Sequence, residues 1–338
     1  MNDVTSGPDT PPLTKALKET AHRLGADLVS VAPADRWSEP PSFDTSTVHV
    51  YPHSGYTPSE LMPSTHSVVV VAVRHLDGVI DSTTTDTKTT AIQGNFGYVL
   101  LNRKLNDITF GLAHWLEEQG YRSVPLGSAG QSRYNHRADD DPDILSVGYG
   151  VFSLKRAAVL AGLGRKAKNG VVASPELGVR MRLGALLTVA RLESGPLLEG
   201  DPCPPDCTIC MKACPTRAIS LGGRVSHLRC FTDVGRRGVR YEEIKAKFKA
   251  QYPVDLPDVD YVDKEYWGNE GTGNRMCKIA CVAFCPLGKR RLPDVMRRVK
   301  EFEQQRPKVE LLSFPPSHEF ALDAVGEGNS AAEPSGSG

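Results

Sequence analysis

The sequence predicts a body of the α+β class, with helices and apolar strands in layers (α/β-layered), followed by a separate cysteine-rich module. Amphipathic helical segments alternate with apolar strands over residues 12–195, which is typical of layered folds. All 8 cysteines of the 338-residue chain lie between Cys203 and Cys285. The 40 basic and 40 acidic residues cancel, so we expect no attraction of the whole chain to nucleic acid or an anionic membrane.

The first elements of the body follow from simple periodicities. A helix is predicted in "TKALKETAHRLG", because Leu17, Ala21 and Leu24 recur at helical spacing and Gly25 suits the turn after it. "DLVSVAP" predicts a strand, and residues 34–65, rich in Pro, Ser and Thr, predict a loop. The β-branched run "SVVVVAVRHL" predicts a strand that is buried on both faces.

The second half of the body begins with a predicted polar connection at 81–90. A long amphipathic helix ending at Gly120 is predicted from apolar residues at helical spacing, namely Leu101, Leu105, Ile108, Leu112, Trp115 and Leu116. "YRSVPL" predicts the next strand, and the polar stretch 127–150 is long enough for a functional loop. Ser153 is a suitable N-cap for a further helix, after which "NGVVASPELG" and "RLGALLTVARL" predict strands.

Composition divides the chain into five parts. The predicted parts are a disordered start (1–11), the body (12–198), the cysteine module (199–290), a basic helix (291–310) and a mostly disordered tail (311–338). No apolar run approaches the roughly 18 residues that a membrane span requires. The start "MNDVTSGPDTPPLT" lacks the basic and apolar parts of an export signal, so we expect a cytoplasmic protein without membrane association.

The spacing of the first cysteines resembles that of proteins with two 4Fe–4S clusters. Their pattern is C-x2-C-x2-C-x3-C-P, and its fourth cysteine binds the other cluster. Cys207, Cys210 and Cys214–Pro215 fit the last three positions, whereas Cys203 lies one residue further away than usual. Because proline suits the first turn of a helix, we expect "CPTRAI" to begin one.

The second half of the module repeats the ending at Cys281 and Cys285–Pro286. If the ligands cross as in two-cluster ferredoxins, each cluster takes cysteines from both halves. The predicted sets are Cys203, Cys207, Cys210 and Cys285 for the first cluster, and Cys214, Cys230, Cys277 and Cys281 for the second. Two zinc sites of four thiolates each are the alternative, although zinc does not call for the Cys-Pro endings.

Further stretches of the chain resemble the cobalamin-dependent iron–sulfur reductases, the superfamily of epoxyqueuosine reductases and reductive dehalogenases. These stretches are "LGADLVSVAP", "AAVLAGLGRKAKNGVVASPELGVRMRLGALLT", "CTICMKACPTRAI", the solitary Cys230 and "CKIACVAFCP". The resemblance implies a nitroreductase-like core that binds base-off cobalamin, and a ferredoxin-like module that holds two 4Fe–4S clusters. It also implies that the clusters pass single electrons to make Co(I), which acts on an electrophilic substrate.

The resemblance implies a set of cobalamin contacts in the stretch before the cysteines. Glycines there would let the backbone approach the cofactor, and arginines would meet its nucleotide-loop phosphate. The implied residues are Gly162, Leu163, Gly164, Lys166, Asn169, Gly170, Gly178, Arg180, Arg182 and Gly184. Judged from the residues alone, helix-ending glycines and surface arginines are an equal alternative.

The proton donor departs from the pattern of epoxyqueuosine reductases. Those enzymes have an aspartate upstream of the "GLG" glycine, where this chain reads "SVGYGVF". Reductive dehalogenases use a tyrosine, so the resemblance implies Tyr149 as the acid, with Lys155 or Arg156 steadying its phenolate. The alternatives are that Tyr149 only packs against its neighbours, or that His136 or the acidic run 139–141 donates the proton.

A second departure concerns the substrate. Only one helix and a tail are expected after Pro293, so the helical-repeat extension of many epoxyqueuosine reductases is expected to be missing. Together with the balanced charge, this predicts reductive cleavage, of the dehalogenation or deoxygenation type, of a small molecule rather than of tRNA. The alternatives are an electron-transfer protein without a corrinoid, a flavin-dependent reductase, and an epoxyqueuosine reductase acting on tRNA.

The basic helix after the last cysteine is a candidate docking site for an electron donor. It carries Lys289, Arg290 and Arg291 at its start and further arginines along "DVMRRVKEF". An acidic ferredoxin or flavodoxin would complement this charge. A solvated charged face is the alternative.

Overall fold

The computed structural model describes residues 11–38, 47–48, 56–85, 93–128, 133–134, 149–150, 152–214, 217–223, 225–226, 279–289 and 293–305. Its helices are α1 (Pro11–Arg23), α2 (Pro58–Leu61), α3 (Asp77–Thr85), α4 (Leu100–Glu118), α5 (Leu154–Leu160), α6 (Ile209–Ala213), α7 (Ala280–Ala283) and α8 (Pro293–Gln305). A 3-10 helix at Ala34–Trp37 and a π-helix at Gln93–Val99 complete the helical segments described.

The strands form one larger sheet and several two-stranded pairs. They are β1 (Leu28–Pro33), β2 (Thr47–Val48), β3 (Ser67–Arg74), β4 (Ser123–Ser128), β5 (Arg133–Tyr134), β6 (Tyr149–Gly150), β7 (Arg165–Lys166), β8 (Val172–Ala173), β9 (Met181–Thr188) and β10 (Val225–Ser226). The four-stranded sheet has the order β1-β3-β9-β4, and every neighbouring pair in it is antiparallel. Val70 lies opposite Ala185 in its centre.

Strand β3 is buried on both faces of this sheet because helices cover both. Val69 and Val71 point into a core shared with α1 and α4, where Leu105 is fully buried. Val68 and Val70 point to the other side and pack with Ala157 of α5. Alternate side chains of one strand therefore serve two cores, which explains the continuous apolar run in its sequence.

The predicted mixture of helices and strands is confirmed, and the predicted strand at "SVVVVAVRHL" and the long helix ending before Gly120 are both present. The polar stretch 81–90 was expected to be a connection, but α3 extends through Thr85. The loop expected at 34–65 contains α2, whose capping box joins Thr57 and Glu60. Short helices of this kind lack the apolar periodicity on which the prediction depended. The nitroreductase-like core and the domain boundaries stay predictions.

The helix expected to begin at "CPTRAI" is not found in the described part of that stretch. Arg217 has a left-handed φ of 52°, and residues 217–223 form a turn with a bridge from Ile219 to Val225. The helix instead precedes the proline: α6 ends at Ala213, and Cys214 takes an extended conformation. The residue before a proline is disfavoured in the helical region, so Pro215 ends a helix here rather than beginning one.

Within the residues described, no helix combines the length and the apolar character needed to cross a bilayer.

Candidate functional site

Four thiols from two distant stretches of the chain surround one cavity of about 300 Å³. They belong to Cys203, Cys207, Cys210 and Cys285. The fourth thiol comes from the segment after α7, about 75 residues along the chain from the third. Three of the four residues are buried, with exposed fractions of 9% for Cys203, 8% for Cys210 and 6% for Cys285. The geometry therefore brings together the set predicted for the first cluster, although its ligation of iron stays a prediction.

Local turns aim the first three of these cysteines. The Cys203 N–H donates to the Asp201 carboxylate at 2.8 Å, which begins the loop, and the Cys207 N–H donates to the Pro204 carbonyl at 3.1 Å. Helix α6 begins at Ile209, so Cys210 lies in its first turn. A loop followed at once by a short helix gathers thiols that a regular helix or strand would separate.

Burial raises the pKa of two of these thiols, Cys210 and Cys203, in the absence of a cation. The pKa of the Cys210 thiol is raised to about 12, first by burial and then by the neighbouring thiols of Cys285, Cys207 and Cys203. Burial also raises the pKa of Cys203. Metal ligands of this type must be thiolates, so the positive charge of bound iron would be the natural counterpart of this site.

The second predicted set is only partly described. Cys214 and Cys281 both pack against the apolar cluster that contains Cys210, Met211 and Ile219. The Cys214 sulfur accepts a hydrogen bond from the Ala218 N–H at 3.2 Å. The remaining two predicted ligands, Cys230 and Cys277, lie outside the described residues. The Cys-Pro cysteine of each half is thus found beside cysteines of the other half.

The four thiols of the first set line a pocket rather than a position for a single metal ion. In the described ranges, no group of three or more His, Cys, Asp or Glu side chains is arranged to hold one metal ion. The four thiols instead line a cavity together with small and apolar residues such as Ala167 and Leu287. This donor set fits a multi-atom iron–sulfur cluster, with a thiolate for each of four irons.

A turn of the body, Ala167–Gly170, contacts the loop that carries the first cysteines. The Lys168 N–H donates to the Cys203 sulfur at 3.3 Å. Its ammonium donates to the carbonyls of Pro204 (3.0 Å), Pro205 (2.6 Å) and Cys207 (3.3 Å). Lys168 was missed by the sequence reasoning, which assigned its neighbours to cobalamin. The available signal was its position inside the "AKNG" turn of the resembling stretch.

Two residues predicted to contact cobalamin instead hold the second half of the cysteine module. Asn169 is buried, and its side-chain NH₂ donates to the Cys281 carbonyl at 3.1 Å. Arg180 is only 2% exposed; it donates to the Asp77 carboxylate at 2.6 Å and to the Ala283 carbonyl. These contacts use both residues to join the body to α7, and their assignment to a cofactor phosphate or ring stays a prediction.

Several of the predicted cofactor glycines face protein. A Cβ on Gly162, which has a φ of +69°, would lie 2.1 Å from the Pro196 carbonyl oxygen. A Cβ on Gly164 would lie 2.6 Å from the Ala173 carbonyl oxygen. Gly184 lies under α4, where a Cβ would be 3.2 Å from a side-chain carbon of Thr109. Close approach of backbone or helix therefore explains these glycines, as the helix-ending alternative suggested for Gly162.

The other members of that set have varied surroundings. Leu163 is buried in the core beside α5, and Lys166 lies half-buried in β7. Gly170 and Gly178 take left-handed φ values of +74° and +58° in turns. The Nε of Arg182 donates to the Asn102 side-chain oxygen at 2.6 Å, and its guanidinium lies 4.1 Å above the ring of Tyr98. The assignment of this set of residues to cobalamin stays a prediction.

A buried histidine, His75, directly follows β3, at the end of the sheet where Arg182 of β9 lies. His75 is 9% exposed, and its Nδ1 has no hydrogen-bond partner among the described residues. Its pKa is lowered to about 3, first by burial and then by the charges of Arg182 and Arg180. The imidazole is therefore neutral near pH 7.

The predicted catalytic residues lie around α5. Tyr149 belongs to β6, where it pairs with Tyr134, and its side chain is outside the described part. The Lys155 ammonium donates to the Gly170 carbonyl at 2.8 Å. Arg156 is buried and donates to the Trp37 carbonyl at 3.1 Å; burial lowers its pKa. The role of all three residues in proton transfer stays a prediction.

Comparison with known proteins confirms the resemblance inferred from the motifs. The chain is similar to curated epoxyqueuosine reductases: it is 28% identical over 244 residues to one from Staphylococcus aureus and 39% identical over 104 residues to one from Lactococcus garvieae. These matches cover 66% and 30% of this chain, but only 57% and 29% of the respective relatives. No family model matches. The chain thus spans little more than half of the first relative.

Solved structures with a likeness to this chain come from two groups of proteins. An epoxyqueuosine reductase crystallised with an epoxyqueuosine-modified tRNA-Tyr stem loop has a TM-score of 0.49 and 21% identity, covering 84% of this chain and 68% of its own. A reductive dehalogenase described in connection with B12-dependent dehalogenation has a TM-score of 0.44 and 18% identity, covering 65% of this chain and 27% of its own.

The predicted partner is corrected by these findings. A small-molecule substrate was expected and tRNA was not, yet the curated relatives are epoxyqueuosine reductases. The prediction was wrong because it used the net charge of the whole chain. Binding to nucleic acid depends on local clusters of cations, which a cancelling total does not exclude.

Proposed function

We propose that the chain is an iron–sulfur reductase of the epoxyqueuosine-reductase type, which acts on a modified nucleoside in tRNA. The observation that carries the proposal is the crossed placement of the cysteines. Cys285 joins Cys203, Cys207 and Cys210 around one cavity, while Cys214 and Cys281 pack against the same apolar cluster of Met211 and Ile219. Two-cluster ferredoxins cross their ligands in this way. The sequence similarity to epoxyqueuosine reductases supports the choice of substrate class.

The proposed reaction removes the oxygen of an epoxide. Two carbon–oxygen bonds break, a carbon–carbon double bond forms, and the oxygen leaves as water. The balance requires two electrons and two protons for each epoxide. An external one-electron donor would supply the electrons in two steps, and the clusters would carry them one at a time. Water and side chains of the site would supply the protons.

The described residues support the electron path. The first cysteine set is nearly enclosed, so bound cluster atoms would be shielded from solvent, which limits side reactions. Hydrogen bonds from Lys168, Asn169 and Arg180 hold the ligand segments directly against the body. Short, rigid contact between the module and the body suits transfer of electrons between them.

Cobalamin is implied by the sequence resemblance and would supply a strongly reducing cobalt centre when bound. Tyr149 remains the predicted proton donor, with Lys155 and Arg156 next to it in the chain. The roles of cobalamin and of these three residues are parts of the proposal that rest on the sequence alone. Substituting Tyr149→Phe tests the donor: turnover should fall at least tenfold while iron content stays unchanged, because a phenyl ring has no proton to give.

The zinc alternative calls for a different geometry. A tetrahedral zinc site needs four sulfurs about 2.3 Å from one point. Zinc does not call for the two Cys-Pro endings, whereas cluster ligation accounts for both.

The proposal is tested on full-length protein purified without oxygen from cells supplied with cobalamin. Counts of iron, acid-labile sulfide, cobalt and zinc are combined with an assay on tRNA that carries epoxyqueuosine. The expected result is iron and sulfide in equal amounts and formation of queuosine. Zinc without sulfide would overturn the cluster assignment. Intact clusters without any turnover of the tRNA would contradict the proposed substrate and favour an electron-transfer protein. The cobalt content decides separately whether a corrinoid is present.

A further inference from the structure

We propose that Lys168 is a positioning residue that raises the reduction potential of the cluster held by Cys203, Cys207, Cys210 and Cys285. The inference rests on the proposed function only in so far as this site holds a cluster. Lys168 belongs to the body, not to the cysteine module. It is the described body residue with the most hydrogen bonds to the loop that carries the first ligands.

The contacts of Lys168 place a positive charge on this loop. Its ammonium donates to three carbonyls, those of Pro204, Pro205 and Cys207, at 3.0, 2.6 and 3.3 Å. Three donors and three acceptors leave the ammonium fully paired. These bonds hold the side chain on the loop that carries Cys203 and Cys207, so its positive charge lies beside this loop.

A second contact acts on a ligand sulfur directly. The Lys168 N–H donates to the Cys203 sulfur at 3.3 Å. Hydrogen bonds to the sulfurs, charge and solvent exposure are the means by which proteins set the potentials of iron–sulfur clusters. The main-chain contact and the ammonium act in the same direction, because both stabilise added negative charge.

The sign of the effect follows from the change in charge on reduction. The oxidised cluster gains one electron, so the reduced site is more negative by one charge. A fixed cation nearby stabilises the reduced form more than the oxidised form, and the potential rises. The half-buried position of Lys168 limits screening by solvent.

The same loop provides a matched control of opposite charge. The Asp201 carboxylate accepts the Cys203 N–H at 2.8 Å, so it lies beside the same ligand residue that Lys168 contacts. Asp201→Asn keeps an acceptor oxygen for this hydrogen bond but removes the negative charge. Its effect on the potential should therefore be opposite to that of Lys168→Gln.

The experiment is a redox titration of full-length protein with dithionite, followed by electron paramagnetic resonance. In Lys168→Gln the ratio of reduced to oxidised first cluster at a fixed solution potential should fall about tenfold, which is about 59 mV for a one-electron couple. Lys168→Arg should match the wild type, because the charge and the donors are kept. Asp201→Asn should raise the ratio. Lys104→Gln, on the exposed face of α4, should change nothing.

Opposite shifts distinguish a charge effect from loosening of the loop. If Lys168→Gln and Asp201→Asn leave the potential unchanged, or shift it in the same direction, the inference is wrong. If Lys168→Gln fails to assemble the cluster, the other two variants decide: Asp201→Asn must still raise the ratio and Lys168→Arg must keep it. A wild-type protein without any 4Fe–4S signal would overturn the proposed function itself, whereas normal clusters with insensitive potentials would overturn only the role of Lys168.

Discussion

The central sheet and the cysteine module are held together by different forces. In the sheet, β3 is buried on both faces and packs against helices of up to 19 residues. In the described part of the module, α6 has 5 residues and α7 has 4, and the thiols surround a cavity. Helices this short are not stable through their own hydrogen bonds. Apolar burial stabilises the sheet, whereas the short helices of the module depend on contacts with the body.

The contacts between the two regions have a consistent chemistry. Side chains of the body, Lys168, Asn169 and Arg180, donate to backbone carbonyls of the module. Carbonyls in irregular segments need such partners, because no helix or strand satisfies them. The module is thus built on polar contacts that position ligands, and the body provides the rigid side of each contact.

The largest expected effect concerns the ligand pairing. Cys285→Ser and Cys210→Ser should each remove the same cluster, and Cys214→Ser and Cys281→Ser the other. Iron per protein should fall by half in each variant. The two variants of a pair should show the same remaining paramagnetic signal, because they keep the same cluster. If Cys214→Ser leaves the same signal as Cys210→Ser, the two halves do not exchange ligands and the crossed placement is wrong.

A core substitution should damage the sheet and spare the module. Leu112 of α4 is 0% exposed, so Leu112→Ala should lower the free energy of unfolding by about 3–4 kcal/mol through a cavity. Phe110→Ala on the same helix is the control, because Phe110 is 67% exposed, and it should change stability by less than about 0.5 kcal/mol. Urea unfolding followed by tryptophan fluorescence measures both. Equal losses in the two variants would contradict the packing of α4.

Arg180 tests the junction between the two regions. Arg180→Met leaves the Asp77 carboxylate without its 2.6 Å partner and the Ala283 carbonyl without a donor. Because Asp77 keeps some solvent exposure, we expect a loss of about 2 kcal/mol, less than for a fully buried pair. Hydrogen exchange should increase in residues 279–289 but not in β3. Arg297→Met, which removes only exposed ion pairs, should have neither effect.

The smallest expected effect is a pH dependence of the sheet from His75. Its pKa is about 3 in the folded protein and near 6.5 when exposed, so protonation favours unfolding. This contribution is fully present above pH 6.5 and is lost as the pH falls towards 3. Between pH 7.5 and 6.0 the loss should be about 0.8 kcal/mol. The free energy of unfolding in urea, measured against pH for the wild type and for His75→Gln, should show this loss in the wild type only. If the two proteins depend on pH in the same way, the buried imidazole is not neutral.

Some elements were predictable because their signal is local. The run of β-branched residues at 68–71 predicted a doubly buried strand, and the spacing of Leu101, Leu105, Leu112 and Leu116 predicted a long helix with one buried face. Both are present, since solvent exclusion acts on a period that the sequence displays. The C-x2-C-x3-C-P spacing likewise predicted a cluster site, because thiols two residues apart can reach one centre.

Other features depend on partners that are remote in the chain. Gly162 looked like part of a cofactor cradle, but its near neighbour is the Pro196 carbonyl. Arg180 looked like a phosphate ligand, but it pairs with Asp77 and Ala283. A glycine indicates only that another group approaches the backbone closely, and an arginine only that a positive charge is present. The packing of distant segments determines which group is the partner.

By itself, the sequence determined the layered sheet and its helices, the family resemblance, and the concentration of thiols in one module, because period and spacing are properties of neighbouring residues. The sequence also predicted that Cys285 joins Cys203, Cys207 and Cys210, and the structure brings their thiols together, whereas the tertiary structure alone decided that Lys168 supports their loop. Contacts across some 35 to 80 residues depend on how the chain returns to the body. The path by which the chain comes back to the body is determined by the packing and hydrogen bonding of the whole fold, which short sequence patterns do not reveal.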